Sequence, residues 1–334
     1  MLTQASSDEE RLLPHDGADY NSLADACQRG RHADPPSATA FLLAAMPRTV
    51  PLTAQNHDRD NAGLTYVYPV VSRRAGGVSA GVNLNPNNAC NWACVYCQVP
   101  GLVRGAAPPL DLVQIETELR TLLADIVHGD FMQTRVPEGA RRLNDIALSG
   151  NGEPTSAREF PEVIDLIGRV MADFELNGRD GPSVKLVLIT NGSLADRPRV
   201  QAGLRKMASL NGEVWFKFDS ATPAGMRAIN QTRVAPEKQF ERLAATARQC
   251  PTWLQTCVFA IDGRPPAEAE QAAYLEAVAR ICREALPVAG VLLYGLARPS
   301  MQPQAARLSA LPAAWLEAYA DRIRAAGLPV KVSP

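Results

Sequence analysis

Cys90, Cys94 and Cys97 lie on one short stretch, NLNPNNACNWACVYCQVPGL (83–102), with the spacing Cys-x-x-x-Cys-x-x-Cys. The chain has seven cysteines over 334 residues, and in so long a chain an odd number fits metal or redox use better than a disulfide framework. A structural zinc site closes with four ligands, and common iron–sulfur sites also use four cysteines. Three thiolates holding a four-iron cube would leave one iron without a protein ligand, and an open position on a metal is where a small molecule binds. Iron can also pass on a single electron, which zinc cannot. Two readings follow: a cluster doing one-electron chemistry on a bound small molecule, or a zinc knuckle completed by a distant ligand. The four histidines, His15, His32, His57 and His128, form no ligand-like group in the sequence.

The elements that must position this stretch are legible from about Val78 onward. Short apolar runs read as strands: VSAGVNL (78–84), DIALSG (145–150), VKLVLITNG (184–192), EVWFKFD (213–219), WLQTCVFAI (253–261), VAGVLLYGL (288–296) and PVKV (329–332). Between them lie stretches of helical period at 110–127, 160–176, 196–210, 235–249, 267–285 and 311–326, two of them with Pro161 or Pro198 at the first turn. Strands alternating with helices imply a parallel sheet with helices packed outside it. Six such units are about three quarters of a closed eight-unit barrel. The expected fold is therefore α/β, a partial (β/α)6 TIM-like barrel, with a doubly wound open sheet as the alternative. Both gather chemistry at the C-terminal ends of the strands. The cysteine stretch follows the strand at 78–84, which places it at that end. Residues 1–60, with one short helix expected near Tyr20 to Arg29, read as a partly irregular N-terminal extension, and residues 61–334 as the core domain.

With Lys and Arg totalling 34 against 35 Asp and Glu, the net charge of -1 supplies no global basic field for nucleic acid. The N-terminal stretch is acidic and lacks the apolar segment of a secretory signal. The longest apolar runs, ATAFLLAAM (38–46) and VAGVLLYGLA (288–297), are too short to span a bilayer. No membrane partner is expected, and a reducing cytoplasm is the expected setting.

The cysteine spacing, with the aromatic Tyr96 directly before Cys97, resembles the signature of the radical S-adenosylmethionine (radical SAM) enzymes. SGNGEPT (149–155), at the end of the strand at 145–150, resembles the glycine-rich GGEP motif of that family, and the order of strand, cysteine loop, helix, strand and glycine motif agrees. Within the family, SGNGEPT, LITNGS, FDSA, INQT (229–232) and LLYGLARP (292–299) are most similar to the branch containing the archaeal wyosine synthases, which build a tricyclic base on tRNA. The resemblance covers roughly residues 78 to 300 and is specific at these motifs.

The resemblance implies a [4Fe-4S] cluster on Cys90, Cys94 and Cys97, whose open iron chelates the amino and carboxylate groups of S-adenosyl-L-methionine (SAM). It implies reductive cleavage of the SAM C5′–S bond, a 5′-deoxyadenosyl radical that takes hydrogen from a substrate, and an external one-electron reductant of the flavodoxin or ferredoxin type. The implied cofactor-binding residues are Tyr96, Ser149, Gly150, Asn151, Gly152, Glu153, Asn191, Asp219 and Ser220. The turn from Gly150 to Glu153 would hold the methionyl amino group, its glycines letting backbone carbonyls approach closely, while Glu153 either helps or braces the turn. Asp219 and Ser220 either meet the ribose or cap the next helix. Thr190 and Gly192 beside Asn191, Lys217 beside Asp219, and Gln255, Tyr294 and Arg298 on later strands are further candidates to face SAM or substrate. No catalytic residue is assigned.

The chain departs from the wyosine synthases in one respect. Those carry a second cluster on N-terminal cysteines, and here that region has only Cys27. Cys250, Cys257 and Cys282 read as small core residues, so one cluster is expected. Three functions remain open: modification of a tRNA base, tailoring or activation of a small molecule, peptide or protein, and a zinc-binding module without catalysis.

Overall fold

Alternating Val, Leu, Ile and aromatic residues make strands that bury both faces. In the computed structural model, which describes residues 51–52, 63–72, 76–178 and 183–333, eight of them form one sheet. They are β1 (Val67–Ser72), β2 (Gly77–Val82), β3 (Leu143–Leu148), β4 (Lys185–Thr190), β5 (Gly212–Lys217), β6 (Thr252–Cys257), β7 (Val288–Tyr294) and β8 (Val330–Ser333). Their order in space is their order in sequence. β1 runs antiparallel to β2, and every later neighbour pairs in parallel. Among the described residues β1 and β8 are the two edges, and the sheet is an open half-barrel of the (β/α)6 kind.

Among the described residues, and besides a one-turn helix at Phe131–Arg135, seven longer helices connect or cover the strands: α1 (Leu112–His128), α2 (Phe160–Asp173), α3 (Pro198–Ser209), α4 (Pro223–Asn230), α5 (Pro236–Ala247), α6 (Glu268–Arg283) and α7 (Ala313–Ala325). Asp111 caps α1 by accepting from Gln114 N at 3.0 Å. Pro161 and Pro198 fall in the first turns of α2 and α3, as their position in the sequence implies. The outward residues of the strands, among them Val78, Ile146, Leu188, Phe216, Leu254 and Leu293, join the apolar stripes of these helices in the main core. The inward residues of alternate register form a separate cluster: Ala147, Val187, Trp215 and Leu292, with Ile189 and Trp253 against it. Period-two alternation thus divides each strand between an outer core and the lumen of the half-barrel. The described residues belong to one unit, residues 39–334. Among them no helix is long and apolar enough to cross a membrane.

Two elements differ from the sequence reading. The strand before the cysteine stretch is the second of the sheet, because VYPVVS forms β1. Pro69 argues against a strand within that run, yet β1 is an edge, where a missing N–H is tolerated. The run after FDSA forms α4, a helix too short to show its period clearly. The expected N-terminal helix near Tyr20 to Arg29 and almost all of residues 1–60 lie outside the described residues.

The N-terminal end of β1 is fastened by a charge buried in α1. Glu118 is 3% exposed. Its carboxylate accepts from Thr65 N (3.1 Å), Tyr66 N (2.8 Å) and Val67 N (3.1 Å), and from Gln114 Nε2 at 2.8 Å. Removing it would strand several buried donors at once. Glu118→Ala is expected to lower the unfolding free energy by about 3 kcal/mol, and Glu118→Gln, which keeps one acceptor, by less, as read from urea midpoints.

Candidate functional site

The loop from Asn83 to Leu102 leaves the C-terminal end of β2 with almost no regular structure of its own. Asparagines supply what a ladder would. Asn83 Oδ1 accepts from Asn85 N and Asn151 N, each at 3.0 Å, and so joins the loop to the glycine motif after β3. Asn85 Nδ2 donates to Ala89 O at 2.9 Å and Asn87 Nδ2 to Ala106 O at 3.0 Å. Asn88 takes the left-handed region at φ 54°, donates to Pro100 O and accepts from Asn151 Nδ2 at 2.6 Å. Asn91 Oδ1 accepts from Asn191 Nδ2 at 2.8 Å, and its own amide donates to Ser193 Oγ at 2.7 Å. These short polar side chains bond readily to nearby backbone.

The three thiols on this frame are free. Cys94 is buried, and Cys90 and Cys97 are half-buried. Asn230, the last residue of α4, donates to Cys94 Sγ at 3.4 Å, and Asn191 Nδ2 stands 3.9 Å from Cys90 Sγ. Burial, with the charge of Glu153 adding to it, pushes the Cys90 thiol up to about 11. Burial pushes Cys94 up to about 12 against the opposing pull of Lys217. Bare, the Cys90 and Cys94 thiols hold their protons at neutral pH, and a cation must displace them.

Among the described residues no three His, Cys, Asp or Glu side chains converge as they would around a single metal ion. A cluster bonds each thiolate to a different iron and so spreads its ligands more widely. Three unpaired cysteines on one loop, flanked by amide donors, fit that donor set. Cys250 and Cys257 are buried and Cys282 is exposed. Cys257 packs in the apolar cluster that contains Trp92, Cys94 and Tyr96.

The glycine motif is a brace. Gly150 has φ 151°, and a Cβ there would lie 2.3 Å from Asn83 Oδ1. Gly152 needs no positive φ; a Cβ on it would lie 2.0 Å from Ala89 O and 2.6 Å from Asn85 Cγ. The missing side chain thus admits the cysteine loop at this point. Ser149 Oγ pairs with Tyr68 OH at 2.8 Å. Glu153 is 2% exposed and fully engaged. One oxygen accepts from Thr155 N (3.1 Å), Thr155 Oγ1 (2.6 Å) and Thr190 Oγ1 (2.6 Å), and the other from Asn191 N (2.7 Å). Of its two sequence readings, this geometry matches the brace. Burial raises its carboxyl above the usual range, although those four hydrogen bonds pull it down.

Asp219 is also committed to protein groups. Its Oδ2 accepts from Tyr96 OH at 2.6 Å and Asn230 Nδ2 at 2.7 Å, and its Oδ1 from Cys257 N at 2.9 Å. Ser220 Oγ accepts from Thr222 N at 3.1 Å, in the turn where Thr222 caps α4 by accepting from Gly225 N at 2.9 Å. Thr222, and not Ser220, is thus the cap of α4, and Ser220 supports the turn that leads into it. Lys217 Nζ donates to Tyr96 OH at 3.0 Å and Tyr294 OH at 3.4 Å. Tyr96, between two cysteines, therefore passes a directed chain of hydrogen bonds from Lys217 to Asp219. Burial alone would lower the Lys217 ammonium, but the negative potential of Tyr294 and Asp219 outweighs it and holds the proton on. Thr190 and Gly192 close the end of β4, Gly192 with φ 70° and its N–H on Thr190 Oγ1 at 2.9 Å.

The sequence reading did not name Asn83, Asn85, Asn88, Asn91, Asn230 or Gln239 as site residues. Gln239 of α5 donates to Asn191 O at 2.7 Å and to Lys217 O at 3.3 Å. The density of asparagine in NLNPNNACN was the available signal for the first four; nothing local marks Gln239.

No protein-family model matches the chain. It is 30% identical over 139 residues to a UPF0026 protein of Helicobacter pylori strain J99, a match covering 41% of this chain and 38% of that protein. The same stretch length is 25% identical to the GTPase Obg of Brachyspira hyodysenteriae, covering 41% of this chain and 17% of that one. The chain thus spans well under half the length of the curated relatives it matches. Among solved structures it is similar to TYW1 with a bound lysine-pyruvate adduct, with TM-score 0.46 and 15% identity over 76% of this chain and 74% of that one. It is also similar to a radical SAM methyltransferase from Sphaerobacter thermophilus, with TM-score 0.47 and 14% identity over 77% and 66% of the two chains.

The contact of Gly152 with Ala89 O makes a sharp expectation. Gly152→Ala should push the cysteine loop off the glycine motif, and the purified variant should lose most of its metal while keeping the wild-type circular dichroism. Wild-type metal content in this variant would show that the loop does not depend on that contact.

Proposed function

We propose that this chain is a radical SAM enzyme in which Cys90, Cys94 and Cys97 hold one [4Fe-4S] cluster. The observation that carries the reading is the frame around the three thiols. Three free cysteines on one irregular loop are fixed by side chains from the ends of β2, β3 and β4, beside a glycine motif of the family's kind. When bound and reduced, the cluster would supply the electron that cleaves SAM to methionine and a 5′-deoxyadenosyl radical.

The chain's own residues have distinct tasks in this reading. The turn from Ser149 to Gly152 offers backbone groups to the methionyl end of SAM, and Glu153 keeps that turn in place through Thr190 and Asn191. Asp219 keeps Tyr96 and Asn230 in position against Cys94 and leaves the ribose to other groups near the strand ends. Lumen residues below the strand ends separate a reactive species from solvent. Free, oxidisable thiols and a labile cluster call for a reducing compartment and an external one-electron donor of the flavodoxin or ferredoxin type.

The substrate is a molecule that reaches the lumen, either free or as the end of a larger partner such as a tRNA base. Steep salt dependence of tRNA binding would favour the second form.

Anaerobically reconstituted protein should carry about four iron atoms per chain. Exchanging Cys27, Cys250, Cys257 and Cys282 for alanine should leave that content, apart from a modest packing loss at the buried sites. Alanine at any one of the three loop cysteines should abolish release of 5′-deoxyadenosine from SAM under dithionite. About eight irons per chain, or methylthioadenosine as the nucleoside product, would contradict the assignment.

A further inference from the structure

Inside the half-barrel, a polar layer rests on an apolar floor. The floor is Ala147, Val187 and Trp215, and Leu292 of the same apolar cluster rises beside the polar layer. Directly above the floor on β5 and β6, Lys217 and Gln255 are register partners, so their side chains are neighbours on the lumen face. Gln255 is 1% exposed, and among the described residues neither its Oε1 nor its Nε2 has a hydrogen-bond partner. A buried amide with both ends unsatisfied costs free energy unless water or a ligand completes it. Lys217 donates to two phenols, Tyr96 and Tyr294, and an ammonium has three donors.

We propose that Lys217 and Gln255 form a lumenal subsite for a small carboxylic acid bearing a hydroxyl beside its carboxylate, and that this is the substrate's anchoring end. The single ammonium matches a monoanion. One carboxylate oxygen accepts from Lys217 Nζ and the other from Gln255 Nε2 on the adjacent strand, which leaves Gln255 Oε1 to accept from the ligand's hydroxyl. An α-ammonium acid, as in the methionyl end of SAM, would set its own charge beside Lys217 and is disfavoured there. Trp215 beneath Lys217, and Leu292 beside Gln255 as its register partner on β7, take the apolar body of the ligand and exclude water, which strengthens the charge-assisted bonds. The inference deepens the proposed function and rests on it, because it assigns this recess to substrate.

The test is calorimetric titration of the anaerobic holoprotein with sodium glycolate, glycolamide and acetate, each with and without saturating SAM. Glycolate is expected to bind at least tenfold more tightly than glycolamide and more tightly than acetate, with an affinity that SAM does not reduce. Lys217→Gln and Gln255→Leu should each weaken glycolate at least tenfold. Gln255→Glu, of nearly unchanged volume, should do the same by charge if the leucine variant fails to fold. Equal binding of glycolate and glycolamide, or variants that bind glycolate like the wild type, would overturn the subsite. Displacement of glycolate by SAM would assign the recess to the cofactor and also overturn it. Iron content and 5′-deoxyadenosine release, measured on the same wild-type sample, fail separately if the enzyme class itself is wrong.

Discussion

The carboxylate of Glu153 is the interaction on which the mouth of the half-barrel depends. Water has been removed from it, and four donors from two strand ends replace that water. Through Asn191 N it fixes the end of β4, and the Asn191 side chain then reaches Asn91 and the vicinity of Cys90. Gly152, one residue earlier, presses on Ala89 O in the cysteine loop. One buried charge thus sets the relative positions of the glycine motif, the end of β4 and the thiols. A loop whose only ladder is the two-residue pairing of Ala89–Cys90 with Val103–Arg104 can be this well placed only if its polar groups are satisfied from outside it.

A second buried charge does the same work on the far side of the loop. Asp219 binds Tyr96, Asn230 and the backbone of Cys257, and Tyr96 and Asn230 are the groups that flank Cys94. Lys217 completes this network through Tyr96 OH without pairing directly to Asp219. The result is a lumen with its positive charge poised between phenols and its floor kept apolar, a setting in which polar contacts act at low dielectric. The two carboxylates therefore divide the loop between them, Glu153 holding the Cys90 side and Asp219 the Cys94 side.

Much of this was readable from the residues. Runs such as VKLVLITNG and VAGVLLYGL announce parallel strands because both faces are buried, and the observed strands fall within them at Lys185–Thr190 and Val288–Tyr294. Cys90, Cys94 and Cys97 stand out by spacing alone. β1 was hidden because Pro69 is read against a strand, and only the topology reveals that this strand is an edge. The task of Asp219 was hidden for a different reason. Its partners Tyr96 and Cys257 lie far away in sequence, and no local pattern records a contact between them. At Gly152 the sequence marks a glycine in a tight turn, but that a Cβ there would meet Ala89 O is a matter of tertiary packing.

In the proposed enzyme, three thiols on one braced loop hold a four-iron cube with one iron left open to SAM. Mössbauer spectroscopy of iron-57 reconstituted protein, recorded with and without SAM, tests this arrangement most directly. One iron in about four should shift to the parameters of a higher-coordinate site when SAM is added, while the others stay unchanged. A spectrum that SAM leaves unaltered, or a colourless protein that takes up zinc in place of iron, would contradict it.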